Sequence, residues 1–161
     1  MADCITQLIT QNIVDTLNGK YFTIGSIDYR SVCEQERSVY DTGGEDVYIQ
    51  IIGPWGEVVE RAASNSLHVK LNYFAAMHIN MINDTGSNDP ITKQCANIGA
   101  DIAALIMEDI TQGGYAINTN IEAPPAYLFD DSETSPEFIV YVQFAVMAMI
   151  DETNFYNNSV A

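Results

Sequence analysis

Positive charge is scarce in this chain. Six lysines and arginines stand against 22 aspartates and glutamates, a net charge of −16. No basic residue follows Lys93, whereas Asp101, Glu108, Asp109, Glu122, Asp130, Asp131, Glu133, Glu137, Asp151 and Glu152 all do. A surface of that sign does not neutralise phosphates, which argues against tight binding to nucleic acid or anionic lipid. It either keeps the protein in solution or suits a protein that works beside DNA without holding it.

Cysteine is sparse as well. Cys4, Cys33 and Cys95 are odd in number, far apart, and form no CxxC or Cys/His pattern. Neither a disulfide framework nor a zinc site is expected from them; buried thiols in a reducing compartment are. Long apolar runs are missing too: the longest, Phe144 to Ile150, is far too short to span a membrane. Met1-Ala2-Asp3-Cys4 lacks the basic start and apolar stretch of a signal peptide, so folding in the cytoplasm is expected.

Catalytic signatures are likewise absent: there is no GxSxG, P-loop, HExxH or glycine-rich dinucleotide fingerprint. His68 and His78 share one parity of a strand-like stretch, but lie roughly 33 Å apart at that spacing, too far for a shared metal or proton relay. The loop from Asp84 to Asp89 has oxygen ligands and a glycine, without the terminal glutamate of a calcium-binding EF-hand. Glu45-Asp46 and Asp130-Asp131 sit in turns, where adjacent carboxylates face water. The expectation is no enzyme, no cofactor and no metal.

What the chain does have is patterned apolar surface. At 161 residues and 47% hydrophobic, it fits one globular domain. Ile5, Leu8, Ile9, Ile13 and Leu17 recur at helical spacing, with Asn18-Gly19 as a stop. A weaker strand is expected over 28–39 and a loop over 41–46. A strand from Val47 to Ile51 is expected to end at Gly53-Pro54, with Trp55 in or just beyond that turn. Residues 67–81 alternate most clearly, with Leu67, Val69, Leu71, Tyr73, Ala75, Met77, Ile79 and Met81 on one parity. Phe74 and Ala76 break the polar parity. A strand that long, roughly 50 Å, outruns the core of a domain this size and points to a neighbouring chain.

A second helix is expected from Pro90, capped by Asp89, through Cys95, Ile98, Ile102, Leu105 and Ile106, ending at Gly113-Gly114. Strands at about 115–121 and 138–150 follow, separated by Pro124-Pro125 and an acidic turn at Asp130-Asp131-Ser132. From Ala145 to Ile150 the last strand is apolar on both parities, as in a central strand or one covered by a partner. The order predicts an α+β fold: two helices packed on one face of a mostly antiparallel sheet with a long strand or hairpin.

Residues 96–155 carry a resemblance. "ANIGADIAALIMEDITQGGYAINTNI" followed by "EFIVYVQFAVMAMIDET" resembles the C-terminal half of bacteriophage tail terminator and tail completion (head–tail joining) proteins. Asp101 opens the match, Asp109 continues it, Gly113 and Gly114 close it, and Phe138 to Met149 corresponds to the family's final strand. Family members often end that strand with a basic residue, whereas this chain reads Met149-Ile150-Asp151-Glu152. The 40–46 and 53–66 segments are also longer than in a minimal member. The resemblance implies a virion subunit assembled in the bacterial cytoplasm into a ring, usually of six copies. The ring caps the tail tube and docks it to the head connector or neck proteins.

On that reading DNA passes through an acidic lumen without being held, and no membrane is involved. The expected contact residues are Trp55, Phe74, Ala145, Met147 and Met149. For Trp55 and Phe74 the other reading, completion of their own core, stays open. An acidic DNA-mimic inhibitor, another neck protein, or a small-molecule-binding module are the alternatives.

Overall fold

The computed structural model describes residues 3–35, 47–62, 65–80, 90–130 and 137–157. The expected turns at 41–46 and 83–89, the Asp89 cap and residues 131–132 of the expected acidic turn lie outside these residues; Asp130, expected in that turn, instead ends a strand paired with Glu137.

Helix α1, Ile5–Leu17, buries Ile5, Ile9, Ile13, Val14 and Leu17, one stripe at i, i+4 spacing. The left-handed Gly19 then turns the chain, and its N–H donates to Ser31 O at 2.9 Å. Strands β1 (Tyr21–Ile24) and β2 (Ile27–Arg30) form a separate hairpin. Its two-residue turn begins with Gly25 at positive φ, as a II′ turn requires.

The single strand expected over 28–39 is corrected: it splits at Ser31 into β2 and β3, Val32–Gln35, which joins the main sheet. Ser31 is the physical reason. Its hydroxyl donates to Leu17 O and accepts from Lys20 N, and its own N–H donates to Lys20 O, so the backbone is pinned there against the end of α1.

Strand β4 runs from Val47 to Ala62, well past the Gly53-Pro54 stop expected for it. The Gly53–Pro54 peptide is cis, and a register shift between Ile52 and Trp55 absorbs the irregularity. Proline is tolerated because the neighbouring strand on that side, β3, pairs only with Tyr48–Ile51. Gly53 itself, at φ 112°, must be glycine: a Cβ there would meet Asn72 O at 2.7 Å. Strand β5, Ser66–Asn80, pairs antiparallel with β4 along its length, as its alternation predicts.

Helix α2 spans Ile91–Met107 and stops well before the di-glycine expected to end it. Strands β6 (Asn118–Ile121), β7 (Ala126–Asp130) and β8 (Glu137–Asp151) complete the fold. β7 was not expected; residues 126–129 carry no turn chemistry, and the proline pair before them masked the strand. The main sheet has the order β3-β4-β5-β8-β6, with β7 also on β8. All its pairings are antiparallel except β3 with β4.

Both helices lie on one face. α1 packs over β3 and β4, and α2 over β8, β7 and β6. Between helices and sheet, Tyr73 and Phe144 stack with centroids 5.2 Å apart at the centre of the core. Gly99 lets α2 approach the sheet, since a Cβ there would collide with Pro125. The protein is thus an α+β fold with two helices on a mostly antiparallel sheet.

Candidate interaction face

Side-chain parity assigns every residue of the long strands to one of two faces. The odd residues of β5 and the even residues of β8 point at the helices and are buried. No described element covers the opposite face. It carries Ile52 and Trp55 from β4, Phe74 and Ala76 from β5, and Ile139, Tyr141, Met147 and Met149 from β8.

Three aromatics cross this face from strand to strand. Trp55 and Phe74 lie 5.4 Å apart at 37°, and Phe74 meets Tyr141 edge-on at 6.2 Å and 82°. Such tilted and edge-on pairs are the favoured geometries of aromatic rings. Beside them the small Ala76 leaves an apolar dent of about 240 Å³, walled by Ile52, Phe74, Ile139 and Tyr141. Trp55 is 44% exposed. It sits within β4, paired with Asn72, rather than on a turn, and neither it nor Phe74 belongs to the buried core cluster.

Of the expected contact residues, Met147 and Met149 lie half-buried on this same face. Ala145 is corrected. It shares the face but is 0% exposed, a methyl set between the longer Asn72 and Asn120 in register on either side. It has no surface left to bring to a contact. The structure adds Ile52, Ile139 and Tyr141, which sequence reasoning missed. Ile139 and Tyr141 were findable, because they share their parity with Met147 and Met149.

Polar groups frame the face. Lys70 Nζ pairs with Glu122 Oε1 at 3.2 Å, Asn72 Nδ2 donates to Trp55 O at 3.3 Å, and Tyr48 Oη donates to Glu34 Oε2 at 3.2 Å. His68 and His78 do lie on one parity of β5, with His78 beside the Tyr48 ring at 6.2 Å.

The motif residues of the C-terminal half are elsewhere and act on the fold. Asp101 is exposed on α2. Asp109 accepts hydrogen bonds from Gly113 N at 2.7 Å, Thr111 Oγ1 at 2.8 Å and Thr111 N at 3.1 Å. The Gly113 and Thr111 donors hold its carboxyl below the usual range. This clamp explains why the helix ends early: residues 109–114 form a turn with Gln112, Gly113 and Gly114 all at positive φ. The buried Gln112 side chain ties the turn to Thr119 Oγ1 at 3.1 Å and accepts from Asn12 of α1 at 3.0 Å. The turn thereby links α2, β6 and α1.

The remaining shifted groups are scattered, each with a local cause. Burial pushes the Cys33 thiol up to about 12 and raises Cys95 and Tyr73, while the Thr6 hydroxyl lowers Cys4. Hydrogen bonds from Thr153 lower Asp151. Among the described residues no group of three or more His, Cys, Asp or Glu is placed to hold a metal ion, and no helix is long and apolar enough to cross a membrane. In comparison with known proteins, no family model and no curated protein matches this chain.

Proposed function

We propose that this chain is a structural subunit of a bacteriophage tail, assembling with copies of itself into a ring of six that caps the tail tube and joins it to the head. The observation that carries this reading is the one-sided cover of the sheet. Helices bury one face, while the other presents Trp55, Phe74, Tyr141, Ile139, Met147 and Met149. An apolar, aromatic face of that kind is characteristic of a surface that docks against protein. Self-association around a closed ring uses such a face without leaving open ends.

The role is mechanical and electrostatic, with no bond made or broken. The net charge of −16 gives a ring of this subunit an acidic lumen, past which DNA slides without being retained. Partners on either side are the tube protein and the head connector or neck proteins. The DNA-mimic reading calls for carboxylates in rows along one face, whereas the uncovered sheet face has Glu57 and Glu60 at one end and apolar and aromatic side chains across its middle.

Light scattering of the protein with tail tubes tests the proposal. A ring several times the 17.8 kDa subunit mass, and tubes of uncontrolled length when the protein is omitted, are the expected results. A strict monomer that leaves tube length and head joining unchanged contradicts the reading.

A further inference from the structure

β5 pairs with β4 along its length, but β3 covers the other side of β4 only at Tyr48–Ile51. From Trp55 to Arg61 that second edge has no neighbour among the described residues. A strand paired on one side turns alternate backbone N–H and C=O groups outward. Proteins commonly protect such edges with lysine, proline or bulges. Here Pro54 precedes the edge and a register shift falls between Val58 and Glu60, yet the edge still displays Val58 and Val59, 52% and 54% exposed.

The two sides of this edge differ in chemistry. On the helix side lies an apolar groove of about 410 Å³, with Val58, Val69, Leu71 and Ile150 along it and Phe155 and Tyr156 against it. On the other side Glu57 and Glu60 are exposed. Lys70 pairs with Glu122 and Arg61 with Glu152, so neither glutamate has an ion-pair partner among the described residues.

We infer that this edge takes up an extended segment of a partner protein in which apolar residues alternate with lysine or arginine, added as a further strand beside β4. Side chains of an added strand fall alternately on the two faces. The apolar set enters the groove beside Val58, and the basic set meets Glu57 and Glu60. A second copy of this chain fits less well. It brings another −16, its edge strands β3, β6 and β7 carry no basic residue, and Arg61 on the β4 edge is already paired with Glu152. The site does not rest on the ring, because a monomer offers the same edge.

Trp55, the only tryptophan, stands at the start of this edge and reports its occupancy. The probe is a short peptide alternating valine and lysine, titrated against the full chain and followed by tryptophan fluorescence and peptide anisotropy. Saturable binding is expected, about tenfold tighter than for a scrambled peptide of the same composition. The double change Glu57→Lys with Glu60→Lys, both at exposed positions, weakens it about tenfold with the circular dichroism spectrum unchanged. Methylating the peptide amides of one parity abolishes binding and of the other parity does not. Equal binding of alternating and scrambled peptides, or undiminished binding to the double variant, overturns the inference. So does a self-associated form that Val59→Arg dissolves, since a copy of the chain would then hold the edge.

Discussion

The hydroxyl of Tyr73 lies 2.8 Å from Oγ1 of Thr10, joining the central strand to α1 inside the core. Thr10 gives its own proton to Thr6 O at 2.8 Å, so Tyr73 is the donor to Thr10. Tyr73→Phe keeps the ring stacked on Phe144 and loses only this bond, at a cost of about 0.5–1.5 kcal/mol. Tyr73→Ala also removes the ring, at roughly 3–5 kcal/mol. Urea denaturation of the two variants measures the difference, and similar losses from both contradict this division between bond and ring.

Gly99→Ala tests the approach of α2 to the sheet. Alanine favours a helix by about 1 kcal/mol over glycine. At this position its methyl collides with Pro125, and overpacking costs about 1–3 kcal/mol. A net loss of stability is expected in thermal unfolding, and a net gain contradicts the close approach.

The three thiols differ in reactivity. Thr6 lowers the pKa of Cys4, while burial raises Cys95 and pushes Cys33 to about 12. Iodoacetamide at pH 8 is expected to label Cys4 in the native protein, and the other two only after unfolding. Because the folded pKa of Cys33 lies above its ordinary 9.0, its contribution to stability is whole below pH 9 and falls as pH rises toward 12. Cys33→Ala therefore flattens the alkaline loss of stability, as read from the denaturation midpoint against pH.

Asp109 acts in the opposite direction. Its folded pKa lies below the ordinary 3.8, so its contribution is present above that value and is lost as pH falls beneath it. Asp109→Ala is expected to cost roughly 0.5–1.5 kcal/mol at neutral pH and to reduce the acid-induced loss below about pH 4. A variant with wild-type stability at pH 7 contradicts the clamp.

The uncovered sheet face answers to Phe74→Glu. The side chain lies outside the core cluster, so the fold is expected to persist while the proposed assembly on tail tubes falls at least about tenfold. Analytical ultracentrifugation with tubes reads the assembly, and circular dichroism reads the fold.

Much of this architecture was legible from alternation and helical spacing. Residues 67–80 gave a strand and 5–17 a helix because each carries one period over a long stretch, and one face of each is buried. Departures came where a local device outweighed the pattern. Ser31 splits a strand through hydrogen bonds to residues 17 and 20, which no periodicity encodes. Gly53-Pro54 reads as a turn, yet the chain stays extended because β3 leaves that part of β4 without a hydrogen-bonding neighbour on one side. The Asp109 clamp ends α2 before its glycines.

The same holds for the contact face. Trp55 and Phe74 stood out by residue type; Ile139 and Tyr141 share the parity of Met147 and Met149 and were legible from it, but that they wall a dent at Ala76 follows only from the register of β8. Ala145 was misjudged because a small side chain between two larger ones loses its surface, and neighbours across strands are set by pairing, not by sequence.

β8 lies between β5 on one side and β6 and β7 on the other, yet it comes after all three along the chain. While a ribosome is still making residues before 137, the middle of the sheet is missing: β5 is held only by β4, and β6 and β7 have no strand to pair with. The nascent polypeptide therefore waits with its central gap open, and closure joins β5 to β8 across more than half a hundred intervening residues. Folding dominated by such distant pairings is slow. During that interval the apolar strand surface that β8 will cover is open to aggregation.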